Sequence, residues 1–430
     1  MIRPLLLLTS LLFSSLQLSG ADAAGTLAER IAGAAPGARL EVPAGVHQGP
    51  FLIDKPLTLI GEPGAELVGD GQSHVVQITA PDVELAGFMI RRSGSQLERD
   101  HAGVHVSAAR AVIRDNTVVD CLHGIYVRAA DDAVILNNTI RGRAVSETIA
   151  DPVIAGVRLS PAELCAEPLE QNQRGNGIHL WKSSGHRIEG NDIRRTRDGI
   201  YFSFTDGTVV RGNHVSQVRY GLHYMYSDNN TFEANHFTDN AAGSALMFSR
   251  GLVLRDNRFV GNRSHRAYGL LLHSVDETVI QNNWIVGNTI GMYLENNNGN
   301  ELAGNRVSSN YVGLRISDSS SGNAFSGNQF SRNLHPVETS GANLANQWSS
   351  AERGNWWDDA FALDLNDDGI VDFAHREVDL FGPWRRDFPA IALVSGSPGE
   401  RLMRFIYSRT QGHGLPGITD PNPLVRPAAP

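Results

Sequence analysis

Past its first two dozen residues the 430-residue chain has no apolar run long enough to cross a bilayer, so a helical membrane protein is excluded as the reading of that part. It lacks a basic excess as well. With 37 Lys and Arg against 46 Asp and Glu the net charge is −9, which disfavours nucleic acid or an anionic membrane as the main partner, local basic patches aside. No G-x-x-x-x-G-K-S/T phosphate loop occurs, so nucleotide hydrolysis by that route is excluded, and G-x-S-x-G and H-E-x-x-H are missing too. Cysteine is scarce: Cys121 and Cys165 allow one disulfide at most.

What is abundant is Asn and Gly in a fixed rhythm. Asn116, Asn138, Asn191, Asn213, Asn235, Asn257, Asn283, Asn305 and Asn328 recur mostly at a period of about 22 residues, the length of a single solenoid coil. Glycines follow eight residues later in most coils, at Gly124, Gly199, Gly221, Gly243, Gly291 and, continuing the series, Gly313, each opening a short run that alternates apolar and polar. A repeat so short buries its apolar face only against its neighbours, so the unit is a coil of short strands and tight turns. Asn and Gly tolerate left-handed turns, and stacked Asn side chains form hydrogen-bonded ladders. The expected fold is all-β: a right-handed parallel β-helix solenoid with ~22-residue coils. A leucine-rich horseshoe would need regularly spaced leucines and a helical segment in each repeat, which these coils lack.

Four segments are expected. Residues 1–24, with Arg3, an apolar run from Leu5 to Leu18 and Ala21-Asp22-Ala23, read as a secretory signal. No cysteine stands at that junction, which argues against a lipoprotein anchor, and the Gram-negative periplasm is the natural compartment. Residues 25–346 form the β-helix, entered through a short capping helix near Thr26 to Ala34 and interrupted by an insertion of about 31 residues spanning roughly 142–175. Cys165 lies in that insertion and Cys121 one coil below its base, so a disulfide tying the insertion down competes with a free thiol. Residues 347–394 are an Asp- and Trp-rich cap, and 395–430 a tail too polar for a core.

Aligning coils on the glycine assigns faces: the first and third positions after it point inward, the second and fourth outward. The second positions read His105, Tyr126, His179, Tyr201, His223, Ala245, Leu271 and Tyr293; the fourth read Arg128, Trp181, Ser203, Met225, Met247, His273 and Glu295. One outer strip is therefore rich in aromatic, His and Met residues, and His223, Met225, Met247 and His273 should cluster on it. Thioethers with imidazoles suit Cu(I) and discriminate against hard ions. The plainer reading is an apolar strip covered by another protein, and the two are compatible if that partner brings the metal. His214 and His236, in consecutive coils, form a weaker metal pair. The run Asp364-Leu365-Asn366-Asp367-Asp368-Gly369 with Asp372 matches the start of a Ca²⁺ loop, but His375 stands where the bidentate Glu belongs, leaving a calcium site and a charged turn both open.

The runs Gly175-Asn176-Gly177-Ile178-His179-Leu180-Trp181, Tyr220-Gly221-Leu222-His223-Tyr224-Met225-Tyr226-Ser227 and Ala245-Leu246-Met247-Phe248 resemble the NosD family, as do Lys55-Pro56-Leu57-Thr58-Leu59-Ile60-Gly61 and Gly354-Asn355-Trp356-Trp357-Asp358-Asp359. The likeness covers nearly the whole chain after the signal. It implies a non-enzymatic periplasmic subunit that works with an ABC-type ATPase and its membrane permease, a periplasmic copper chaperone and nitrous-oxide reductase, whose copper centres it helps assemble by handling copper or sulfur. Met225 and Met247 fall on the family's motif positions. Leu402, Phe405 and Ile406, interspersed with Arg401, Arg404 and Arg409, suit a short amphipathic helix that either docks or caps the solenoid. The competing class is a carbohydrate-active β-helix enzyme, a polysaccharide lyase or uronate epimerase, with His105, His179 or Asp198 as acid or base. Against it, no paired carboxylates stack beside a basic residue on the outer face.

Overall fold

A computed structural model describes residues 25–143, 174–264, 267–339, 345–350, 353–378, 395–409 and 417–427, a few isolated positions, and a two-stranded hairpin, Val153–Ile154 with Val157–Arg158. The expected signal segment and most of the insertion, Cys165 included, lie outside the described residues.

Among the described residues three parallel sheets of 12, 13 and 12 strands run from Ala38 to Trp357, each coil giving one strand to each sheet in turn. This is the parallel β-helix expected from the sequence period. The period is visible in the contacts themselves: Asn213 bonds Asn235 one coil on, 22 residues away, whereas Asn138 bonds Asn191 across a step of 53. The coils on either side of the insertion therefore stack in register.

Inward positions carry Leu, Ile, Val and Phe with almost no solvent exposure, among them Phe202, Phe232, Phe237, Phe259 and Ile280. Each such side chain contributes about 1.5–3 kcal/mol by leaving water. Phe237 and Phe259 stack at 5.3 Å, continuing the coil spacing into the core. At the N-terminal end the helix Leu27–Gly33 is started by a capping box of Thr26 and Glu29 and lays Leu27 and Ile31 over the strand Phe51–Ile53. At the other end Phe325 stacks on Trp348 and Phe330 on Trp357, both at 4.3 Å.

The Asn ladder runs from Asn116 to Asn355, each side-chain oxygen taking bonds from the backbone and side-chain nitrogens of the Asn one coil before. Its physical basis differs from the expectation in one respect. The left-handed residue is the one before each ladder Asn from Asn116 to Asn328, for example Asp115, Asn137, Gly212, Ala234 and Asp256. The column glycines are likewise not there for their backbone angles: a Cβ on Gly199, Gly221 or Gly291 would sit 2.5–2.6 Å from the carbonyl oxygen of the next column glycine. They are glycine because neighbouring coils approach too closely for anything else.

The tail is not wholly polar. The strand Gly417–Asp420 pairs antiparallel with His375–Val378, and Ile418 and Leu424 are buried, so residues beyond 395 help build the C-terminal cap. Asp420 takes a 2.9 Å bond from the indole of Trp357, locking that cap to the last strand of the second sheet. The helix Pro398–Arg409 lies beside His375–Val378 with Leu402, Phe405 and Ile406 exposed.

Candidate functional site

On the third sheet the strands Asp198–Asp206, Tyr220–Met225, Ala242–Arg250, Tyr268–Asp276 and Ile290–Glu295 lie side by side. Their register pairs Ser203, Met225, Met247, His273 and Glu295 in one row and Tyr201, His223, Ala245, Leu271 and Tyr293 in the next. Met225, Met247 and His273 thus occupy successive coils, with His223 two residues before Met225 on the same face. All four are half-buried, against inward neighbours Leu222, Tyr224, Leu246 and Leu272 that are fully buried.

Both histidines of this strip are held from behind. His223 Nδ1 lies 2.9 Å from Oδ2 of Asp198, and His273 Nδ1 lies 3.1 Å from Oε2 of Glu295. Asp198 is completely buried and takes two further bonds from the guanidinium of Arg219, at 2.8 and 2.6 Å. These partners hold its carboxyl down to about 2 against the opposing effect of burial, so it stays ionised. A carboxylate on one ring nitrogen fixes the imidazole and leaves the other nitrogen as the donor, the arrangement that orients metal-ligating histidines.

The position after each outward row residue breaks the alternation. Phe204, Tyr226 and Phe248 adopt left-handed backbone with φ of 51–54°, where bulky side chains are rare. Their side chains consequently join the outer face, about half exposed. They stack in line, Phe204 on Tyr226 at 5.3 Å and Tyr226 on Phe248 at 5.1 Å, with the Phe248 ring edge-on to His273 at 5.2 Å. Strict alternation in the sequence concealed this ladder; the signal that exposes it is aromatic identity at one-coil spacing, one position after Ser203, Met225 and Met247.

Toward the N-terminal end the second row continues as a column of ring contacts, stacked at His105–Tyr126 and tilted or edge-on beyond it. His105, Tyr126, His179, Tyr201 and His223 follow one another at centroid spacings of 4.3–5.6 Å. His74, His101 and His123, which the face assignment missed because they sit before or between the aligned strands, pack beside them. In the register His123 lies opposite Ala102 rather than His101, so aligning the coils gave no signal for this pair. Burial pushes His74 and His105 down to about 4 and His123 to about 3, so these imidazoles are neutral near pH 7.

Elsewhere, His214 and His236 are register partners on the second sheet, rings 6.3 Å apart, away from the Met strip. His214 is engaged by Thr238 and lies near Asp192. In the acidic loop, Asp364 accepts from the backbone nitrogens of Asp368 and Gly369, Asn366 bonds Asp368, and Asp372 accepts from Leu365. Those oxygens brace their own turn. Cys121 is a buried thiol, pushed up to about 12 by its surroundings.

Two comparisons bear on the site. A family model described as "Periplasmic copper-binding protein (NosD)" matches residues 157–361. A protein of Pseudomonas aeruginosa called "Probable ABC transporter binding protein NosD" is 35% identical over 410 residues, covering 91% of this chain and 89% of its own. Its namesake in Stutzerimonas stutzeri is 34% identical over 407 residues, covering 90% and 87%. Among solved structures, the A-module of a mannuronan C-5 epimerase from Azotobacter vinelandii superposes with a TM-score of 0.54 at 12% identity, over 75% of this chain and 91% of that one. An alginate lyase in complex with an oligosaccharide does so with 0.52 at 13%, over 75% and 81%. At that identity the likeness concerns the β-helix alone.

Proposed function

The chain belongs to the NosD family, and from that premise we propose that it is a periplasmic accessory subunit of an ABC-type maturation system, taking copper as cargo at the strip His223, Met225, Met247 and His273 for the copper centres of nitrous-oxide reductase. The observation that carries the reading is the paired bracing of His223 by Asp198 and of His273 by Glu295, on either side of two register-paired methionines. Two thioethers and two oriented imidazoles fit Cu(I) and fit hard divalent ions poorly. The family description and the names of the relatives support a copper and transporter context of this kind.

The stacked ladder Phe204, Tyr226 and Phe248 borders the same strip, and exposed aromatic area of this kind suits a protein partner. A chaperone or reductase seated there would deliver or receive the ion without releasing it to solvent. The ATPase and permease would be separate chains, and the exposed Leu402, Phe405 and Ile406 of the C-terminal helix suit contact with the permease. The acidic loop at Asp364, Asn366, Asp368 and Asp372 is proposed as a structural calcium site, independent of the cargo.

The carbohydrate-enzyme reading is weaker on one specific ground. Its candidate acid, Asp198, is sealed from solvent and committed to Arg219 and His223, so it can neither reach a sugar nor exchange a proton with one.

The deciding experiment is Cu(I) binding by the purified protein against a competing chelator, wild type beside Met225→Ala/Met247→Ala, with circular dichroism confirming the fold of both. The expected outcome is about one Cu(I) bound by wild type and at least a tenfold loss of affinity in the variant. Equal binding by both would move the cargo site elsewhere, and no binding by either would reduce the strip to a docking surface.

A further inference from the structure

At the C-terminal end of the solenoid, beyond the strip, a second cluster of metal-binding groups is built by chain segments that the copper reading does not use. His375 and Glu377 stand two residues apart on the strand His375–Val378 and so share a face. Asp359, just after the strand Trp356–Trp357, faces them. The His375 Nε2 lies 3.4 Å from Oε1 of Glu377 and 3.7 Å from Oδ1 of Asp359, and one ligand atom from each of the three residues falls within 4.8 Å of the others.

Two features separate this cluster from a surface patch of acids. First, two of its three members are buried: the His375 side chain is 9% exposed and that of Glu377 4%. The imidazole is wedged against Trp357 at 4.8 Å, and Trp357 in turn lies on Phe330, so the ring is held in place by the core. Second, His375 Nε2 has only these two ion-pair contacts and no aligned hydrogen bond, and Glu377 Oε2 is buried without a hydrogen-bond partner among the described residues. A buried polar atom left unpaired costs about 1–3 kcal/mol, more when the group is charged, so a native structure keeps one only where something else satisfies it.

We propose that Asp359, His375 and Glu377 bind a divalent transition cation of the Zn²⁺ class, at a site distinct from the Met/His strip. Ligand atoms at ~2.0–2.2 Å from a tetrahedral ion lie roughly 3.3–3.6 Å from one another, close to the two spacings already present. Asp359, whose side chain is about half exposed, closes the remaining gap by rotation. One imidazole with two carboxylates selects a borderline divalent ion over Cu(I), which asks for sulfur, and over Ca²⁺, which asks for six or more oxygens. The three residues line a cavity of about 850 Å³ that also exposes Arg332, Arg401 and Arg404, leaving the fourth coordination position open to water or an anionic ligand. Bound there, the ion would join the solenoid's last coil to the antiparallel pair of the cap.

The test is metal-stripped full-length protein titrated with Zn²⁺ against a chromophoric chelator, with thermal unfolding recorded in parallel. Wild type is expected to bind one Zn²⁺ and to unfold at a higher temperature with zinc than without. His375→Ala and Glu377→Gln should each weaken binding at least tenfold and abolish the thermal shift. Asp359→Asn, at the exposed side of the cluster, serves as the variant least able to disturb folding and should also weaken binding. The Met225→Ala/Met247→Ala protein should bind Zn²⁺ as wild type does, which keeps this result separate from the copper experiment. Failure of wild type to bind Zn²⁺, or undiminished binding by Asp359→Asn and His375→Ala together, would overturn the proposal.

Discussion

Tyr226 and Phe248 hold a backbone conformation that costs a bulky residue about 1–2 kcal/mol over the right-handed alternatives. Stacking of neighbouring rings returns roughly 0.5–1.5 kcal/mol of that. The two effects nearly cancel, so folding stability alone gives no reason for aromatics in this column, and the equivalent position two coils beyond Phe248 is Asn296, a residue at ease there. Tyr226→Gly is accordingly expected to change the unfolding free energy by less than about 1 kcal/mol in urea, while weakening capture of the partner proposed to deliver copper. A large loss of stability with unchanged capture would show that the ladder serves the fold.

At the scale of the coil, the two repeated residues do different work. Asn235 donates to Asn257 and Val210 and accepts from the backbone and side chain of Asn213, all of it buried. Asn235→Ala strands at least two buried backbone groups and is expected to cost about 3 kcal/mol or more in chemical denaturation. Gly221→Ala drives a methyl into the Gly243 carbonyl and should cost about 1–3 kcal/mol by overpacking, with no lost hydrogen bond to rescue. The period made this much of the element legible: which residues face in, which pair across coils, and that His223, Met225, Met247 and His273 share an outer face. What the period could not reveal was where alternation stops. The residue after Met225 and Met247 is left-handed and its own side chain joins the outer face, and nothing local in Tyr226 or Phe248 announces it. The cluster of Asp359, His375 and Glu377 was illegible for another reason. Its strand is placed by pairing with Gly417–Asp420, far along the chain and outside the repeat.

Across the whole molecule the buried imidazoles along the third sheet tie stability to pH. His74, His105 and His123 have folded-state values lowered by burial below the ordinary 6.5. The unfolded chain therefore takes up protons below about pH 6.5 that the folded chain refuses until near pH 4 or below, and stability falls as pH drops through that window. The slope reaches at most about 1.4 kcal/mol per pH unit for a fully shielded ring such as His123, and less for the half-buried His74, where solvent screens the effect. A steady fall in unfolding temperature from pH 6.5 to 4, reduced in a His105→Gln variant, is the expected result; a flat profile would mean that these rings are already accessible to protons.

The coil stack that supplies the sites also works as a ruler. Each coil adds about 4.8 Å along the axis, and the ladders of Asn and Gly leave no slack between steps. The strand of His273 and that of His335, the last of the third sheet, are three steps apart, roughly 14 Å at that rise. Partners that grip the aromatic ladder and the C-terminal cap at once would be held at a spacing graduated in whole coils. Adding or deleting one repeat would change that spacing by one graduation while leaving each site intact.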